Sequence, residues 1–172
     1  DVSSIKISGY EVHRARADLQ IASNSISISA FSKFVELSKK VDVVHYHFPW
    51  PFMDMVHFLA RVKKPSLVTY HSDIVRQRTL LQFYKPLMRL FLGSVDRIVA
   101  TSPNYLASSD VLHRYREKVQ VIPIGLHKSS YCCPSADRVA YWRSRFGDRF
   151  FLFVGVIRYY KGLQFLLDAV RG

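Results

Sequence analysis

The stretch VDVVHYHFPWPFMDMVHFLARVKKPSLVTYH, residues 41–71, decides the fold. It holds a short apolar run at Val41–Tyr46, a segment long enough for a helix at Met53–Val62, and a second short run at Ser66–Tyr70. Both runs are rich in β-branched and aromatic residues, as buried strands are. Parallel neighbours cannot be joined by a tight turn, so a helix-length crossover between two strands predicts a βαβ unit. The pattern continues downstream. Further runs stand at Arg97–Thr101, Val119–Ile122 and Phe150–Val154, with helical segments at Arg78–Leu92 and Asn104–Tyr115 between the earlier ones. The predicted fold class is α/β, a parallel sheet flanked by helices.

Upstream of residue 42 the signals weaken to a strand at Tyr10–His13, a short apolar run at Ile26–Ser29 and a helix at Ser32–Lys39. A doubly wound domain usually opens with a strand and a glycine-rich turn. Neither is present, so both are expected to lie upstream of this sequence. Downstream, residues 123–130 are turn-rich and Asp137–Phe146 reads as a short charged helix. After it come one strand and one helix, Gly162–Val170, a unit that cannot cover its own apolar faces. The expected organisation is a first domain over 1–126, a linker with a short helix over 127–148, and the opening strand-helix unit of a second domain over 149–172.

Composition narrows the class. The 172 residues are 49% hydrophobic, enough for one sizeable core. No apolar run approaches the roughly 20 residues that span a bilayer, and no leader pattern opens the chain, so a cytoplasmic protein is expected. Cys132 and Cys133 are adjacent, which suits neither a disulfide nor a metal site, and they read as reduced thiols. Twenty-five Lys and Arg against 13 Asp and Glu give a net charge of +12, a field that attracts phosphates, anionic lipid or nucleic acid. Nucleic acid is not the expected partner, because the basic residues are scattered and no zinc-finger, RNP or KH signature occurs. In Arg78–Leu92 the polar stripe Arg78, Gln82, Lys85 and Arg89 stands opposite Leu80, Leu81, Tyr84, Leu87, Met88 and Phe91. Packing on the sheet explains such a face, and so does peripheral contact with an anionic membrane. Pro86 is expected to kink this helix or begin a second one.

The segment FVGVIRYYKG, residues 153–162, carries the clearest chemistry. A strand leads to Gly155, where a ligand can approach the backbone, and Gly162 stands at a helix entrance. Arg158 and Lys161 set two cations beside the N–H groups that open that helix. A diphosphate fits such a place, since guanidinium and ammonium both match phosphate oxygens.

This segment, continued through Leu163, Leu166, Leu167 and Ala169, closely resembles the motif that opens the C-terminal domain of glycosyltransferase family 4. Val156 stands where the family usually has Arg, and Arg158 follows two positions later. Three further segments resemble that family in order and spacing: DVVHYHFPWP (42–51), VTYHSDIVRQ (68–77), and the pair DRIVATSPNYLASS with VQVIPIGL. Ile124 and His127 occupy places where members usually carry Asn and Asp. The resemblance implies a Rossmann-like N-terminal domain of the two-domain GT-B fold. It implies a retaining transferase moving a hexose, mannose among the candidates, from a nucleotide diphosphate sugar to a glycan or lipid-linked acceptor in polysaccharide synthesis. Lys161, Arg158 and Gly155 would hold the donor diphosphate, His71 would be the acceptor-side histidine, and no metal or separate cofactor would be needed. The family's paired acidic residues fall beyond residue 172, so the polypeptide as given is expected to be inactive alone.

His71 follows a buried-strand pattern and precedes Ser72-Asp73, placing it at a strand's C-terminal edge, where open α/β sheets bind ligands. An imidazole there can hydrogen-bond a sugar hydroxyl or steady charge as the glycosidic bond breaks, which makes His71 the candidate catalytic residue. A histidine that merely ends a strand, with Asp73 capping the next helix, is the plainer reading. His45 and His47 share one strand face, but a third metal ligand at suitable spacing is missing. Trp50, stiffened between Pro49 and Pro51, is either a stacking surface for a sugar or a plug in the core. His47, Trp50 and Asp73 are therefore candidates for the sugar side of the site. The adjacent His71, Ser72 and Asp73 cannot form a catalytic triad on one turn, and no Gly-x-Ser-x-Gly elbow occurs. A non-catalytic module that binds the acceptor or a membrane surface stands as the rival function, and a basic nucleic-acid binder behind it.

Overall fold

The computed structural model describes residues 2–21, 24–74, 78–127, 129 and 131–171, with the side chains of 78, 79 and 160 excepted. Val75, Arg76 and Gln77 of the segment 68–77, Lys128 and Ser130 of the junction, and the Arg78 side chain therefore lie outside the described residues. The chain divides into two compact units, Asp1–Gly125 and Leu126–Gly172.

The core of the first unit is a four-stranded parallel sheet, ordered β5 (Val44–Phe48), β6 (Ser66–Tyr70), β7 (Arg97–Ala100) and β8 (Val119–Val121). The crossovers are α2 (Pro51–Leu59), α3 (Arg78–Ser94), and the pair α4 (Pro103–Ser108) and α5 (Asp110–Arg114). Sheet order follows chain order, and right-handed crossovers in one direction place these helices on one face. That face holds the core: Val44, Tyr46 and Phe48 of β5, Val68 and Tyr70 of β6, and Ile98 and Ala100 of β7 pack against Met88, Phe91 and Leu92 of α3 and Leu112 of α5. Strand alternation turns His45, His47, Leu67, Thr69 and Val99 to the opposite face.

Ahead of this sheet, β1 (Val2–Ile7) and β2 (Tyr10–Ala15) form an antiparallel hairpin. Its two turn residues, Ser8 and Gly9, both have positive φ, 50° and 87°, as a two-residue turn compatible with strand twist requires. A smaller pair, β3 (Leu19–Ile21) and β4 (Asn24–Ile26), precedes α1 (Ile28–Ser38), whose Phe34 meets the Tyr46 ring. Ser27 caps α1 by accepting from the Ala30 amide at 3.1 Å.

A buried polar chain ties the helices to the sheet. The Tyr46 hydroxyl lies 2.8 Å from His57 Nδ1, and His57 Nε2 lies 3.2 Å from Ser94 Oγ, which donates to the Phe91 carbonyl. Since the serine proton is committed to Phe91, Nε2 is the donor and Nδ1 the acceptor. Burial depresses the His57 pKa, in keeping with this neutral tautomer.

Three expectations are corrected. α3 runs through Pro86 as one helix, so no second helix begins there. Pro86 is exposed, so the carbonyl it cannot bond turns to the solvent side. Asn104–Tyr115 is two helices, divided at Ser109. Phe150–Val154 carries no strand. A strand satisfies its backbone only through a neighbour, and among the described residues none pairs with this segment. The second unit contains α6 (Ala136–Phe146), a 3-10 turn at Tyr159–Lys161, and α7 (Leu163–Arg171).

Candidate functional site

At the C-terminal ends of β5 and β6 the alternation of buried and exposed residues sets three imidazoles side by side. His47 pairs in register with Thr69, and the His71 amide donates to the Phe48 carbonyl at 3.0 Å, continuing the ladder one step past β6. His71 therefore shares the face of Thr69, His45 and His47. His47 Nδ1 and His71 Nε2 are 2.8 Å apart, with ring planes 9° from parallel. His45 stacks on His47 with centroids 4.7 Å apart, and its Nε2 bonds Thr69 Oγ1 at 2.8 Å. All three rings are exposed on the open side. Partial burial, and then the neighbouring His47 and His71, lower the His45 pKa and favour its neutral form. The ring nitrogens left by these bonds, Nδ1 of His45, Nε2 of His47 and Nδ1 of His71, can donate to or accept from a ligand hydroxyl.

Trp50 stands where β5 turns into α2. Its indole N–H donates to the Ser25 carbonyl at 3.0 Å, its ring tilts onto Phe52, and it is half-buried. The bond pins the loop to β4, and Pro51 takes the first helical position.

Asp73 is held from behind. Its Oδ1 accepts from the Tyr70 hydroxyl at 2.7 Å and the Ser109 hydroxyl at 2.9 Å. Ser109 Oγ accepts in turn from the Leu112 amide, capping α5. The carboxylate thus latches the end of β6 to the break between α4 and α5. Tyr105 sends its buried hydroxyl beside Asp73 without a well-formed hydrogen bond. Burial first, then the Asp73 carboxylate, push the Tyr70 pKa up.

In the second unit, exposed Arg158 precedes the 3-10 turn that ends in Lys161. Gly162 closes that turn with φ 66°, and its carbonyl accepts from the Phe165 and Leu166 amides to start α7. Gly155 has φ 152°, a conformation that residues with a Cβ rarely adopt. The structure thus gathers His71, His47, Trp50 and Asp73 at one strand edge of the first unit, and Gly155, Arg158 and Lys161 in the loop before α7 of the second. Thr69 is the member sequence reasoning missed, and His45, weighed there only as a metal ligand, joins the column as a stacking partner of His47. Their signal was the spacing of two in His45-x-His47 and Thr69-x-His71, legible once β5 and β6 are taken as neighbours. Among the described residues no three His, Cys, Asp or Glu side chains are placed to hold a metal ion.

Open parallel sheets bind ligands beyond the C-terminal ends of their strands, and the class defined here is an α/β domain with polar side chains at that edge. The chain belongs to Glycosyltransferase Family 4, whose family model matches residues 7–129. It is 61% identical over 168 residues to D-rhamnosyltransferase WbpZ of Pseudomonas aeruginosa, an alignment covering 98% of this chain and 44% of that protein. It is 52% identical over 165 residues to O-antigen chain mannosyltransferase C of Escherichia coli, covering 94% of this chain and 44% of that protein. The chain spans less than half the length of both relatives.

Proposed function

We propose that this chain carries the acceptor-side domain and the first donor-side elements of a retaining glycosyltransferase. The reaction moves a hexose from a nucleotide diphosphate sugar to a glycan or lipid-linked acceptor. D-rhamnose is D-mannose without its 6-hydroxyl, so the names of the two relatives favour a sugar of manno configuration. The observation that carries this reading is the imidazole column at the C-terminal edge of β5 and β6, in a chain of this family. His71 hydrogen-bonds a sugar hydroxyl at that edge, and Trp50 and Asp73 shape the loops around it. Arg158 and Lys161 meet the negative charge that develops on the leaving diphosphate, with Gly155 allowing close backbone approach. The nucleotide sugar is the substrate, and no separate cofactor takes part. A cytoplasmic location and a peripheral contact with an anionic membrane complete the reading, in which nucleic acid has no place. No helix among the described residues is long and apolar enough to cross a membrane.

The test is a panel of nucleotide diphosphate sugars offered to the full-length enzyme, with product anomer read by NMR. Lys161→Ala is expected to lower kcat/KM about 100-fold, the scale of one lost charge-stabilising contact. Unchanged turnover and donor affinity in that variant would remove the diphosphate assignment. Acceptor binding without turnover across the whole panel would favour a non-catalytic module.

A further inference from the structure

We infer that the outer faces of α2 and α3 form a docking surface for an anionic lipid bilayer. The inference rests on the peripheral contact in the proposed function and names the surface that makes it. α3 has two apolar faces. Its inner one buries Met88, Phe91 and Leu92, which already explains why the helix packs on the sheet. Its outer one exposes Phe83 at 80% and Leu90 at 65%, one on each side of exposed Pro86. α2 repeats the arrangement, with Phe52 and Val56 inside and Met55, Phe58 and Leu59 outside, Leu59 at 60% exposure. Asp54 bonds Tyr84 and His57 bonds Ser94, so the two helices lie side by side. Single exposed apolar residues need no explanation, but apolar outer faces on two packed helices call for a partner.

Charge names the partner. From Asp54 to Asp96 the sequence carries Arg61, Lys63, Lys64, Arg76, Arg78, Lys85 and Arg89 against three acids, Asp54, Asp73 and Asp96. Asp54 is buried and accepts from Tyr84, Asp73 accepts from Tyr70 and Ser109, and Asp96 accepts from the Ser66 amide. Lys85 and Arg89 are also exposed on α3. At the C-terminal end of α2 an open pocket of about 450 Å³ is lined in part by Arg61, Lys63 and Lys64, with Asp96 as the one acid among its lining residues. Phenylalanine and leucine entering the acyl boundary while lysine and arginine reach headgroup phosphates is the pattern of an interfacial helix. α3 follows β6, so the helix end bearing Phe83 lies on the sheet edge that carries His71. Docking by this face brings that edge to the lipid surface.

The experiment is co-sedimentation of the full-length protein with vesicles of phosphatidylcholine and phosphatidylglycerol in equal parts, beside phosphatidylcholine alone. Binding is expected on the mixed vesicles, weakened by salt. Lys85→Gln with Arg89→Gln should lower partitioning about 30-fold, near fivefold per cation. Phe83→Ser with Leu90→Ser should also reduce it, while circular dichroism stays unchanged. Equal binding of wild type and both double variants overturns the inference, as does equal binding to the two vesicle types. A change in oligomer mass without a change in vesicle binding overturns it too, and assigns the face to a second copy. Transfer to a water-soluble acceptor is read in parallel. Retained vesicle binding with no transfer in the wild type sinks the sugar-transfer reading and leaves the docking surface standing.

Discussion

An isolated imidazole exchanges its proton freely between two nitrogens, but a ring bonded through one of them is left with a defined partner at the other. His47 Nδ1 engages His71 Nε2, and His45 backs His47 by stacking. In the proposed reaction, His47 is a positioning residue that decides which edge of His71 faces the sugar. His47→Ala is expected to lower kcat about tenfold, near 1.4 kcal/mol, with a smaller change in KM. His47→Asn places an amide close to the lost Nδ1 and should recover most of that loss. Nitrogen NMR of His71 gives the readout that bulk stability does not move. In His47→Ala the ring should become a mixture of tautomers, and in His47→Asn one form should dominate. Identical His71 spectra in wild type and His47→Ala would rule out the positioning role.

At the scale of elements, Asp73 illustrates how one side chain sets where helices end. Asp73→Ala leaves the Tyr70 and Ser109 hydroxyls without their acceptor, which should destabilise the first unit by about 2–4 kcal/mol. Asp73→Asn keeps a side-chain oxygen and should cost less than half as much, as urea unfolding would measure. Equal losses in the two variants would show that the latch depends on charge. This latch also explains part of what was hidden in the sequence. The break at Ser109 depends on a carboxylate 36 positions away, and no local propensity reports it. The strands β5 to β8 were legible because their β-branched and aromatic runs are short and separated by helix-length segments. The β1–β2 hairpin was half read. Ser8-Gly9 is its turn signal, but exposed β1 lacks the strong apolar alternation that marks a buried strand. Phe150–Val154 has a strand's composition without a partner strand among the described residues. The individual histidines could be found from spacing, whereas their pairing required the register of β5 on β6.

For the molecule as a whole, the buried carboxyl of Asp54 ties stability to pH. It sits between α2 and α3, accepts the Tyr84 hydroxyl, and is 2% exposed. Burial pushes its pKa from 3.8 up to about 7, against the opposing pull of the Tyr84 hydrogen bond. A carboxyl with a raised native pKa stays protonated in the fold while the unfolded chain has already released its proton. Between pH 4 and 7 the native state therefore binds more protons than the unfolded state, and stability falls as pH rises through that window. The decline from this one group is on the order of 4 kcal/mol, with most of it between pH 5 and 7. Asp54→Asn retains an acceptor for Tyr84 and cannot ionise, so its stability should be flatter across the same range. The expected result is a wild-type-minus-variant difference in unfolding free energy that grows more unfavourable to the wild type from pH 4 to pH 7. It would be measured by urea titration at several pH values on the full-length protein. A difference that does not vary with pH would mean that water reaches the carboxylate and that the α2–α3 interface is looser than its buried residues imply. The same looseness would undo the docking surface, because Met55, Leu59, Phe83 and Leu90 present one face only while Asp54 and His57 hold these two helices together.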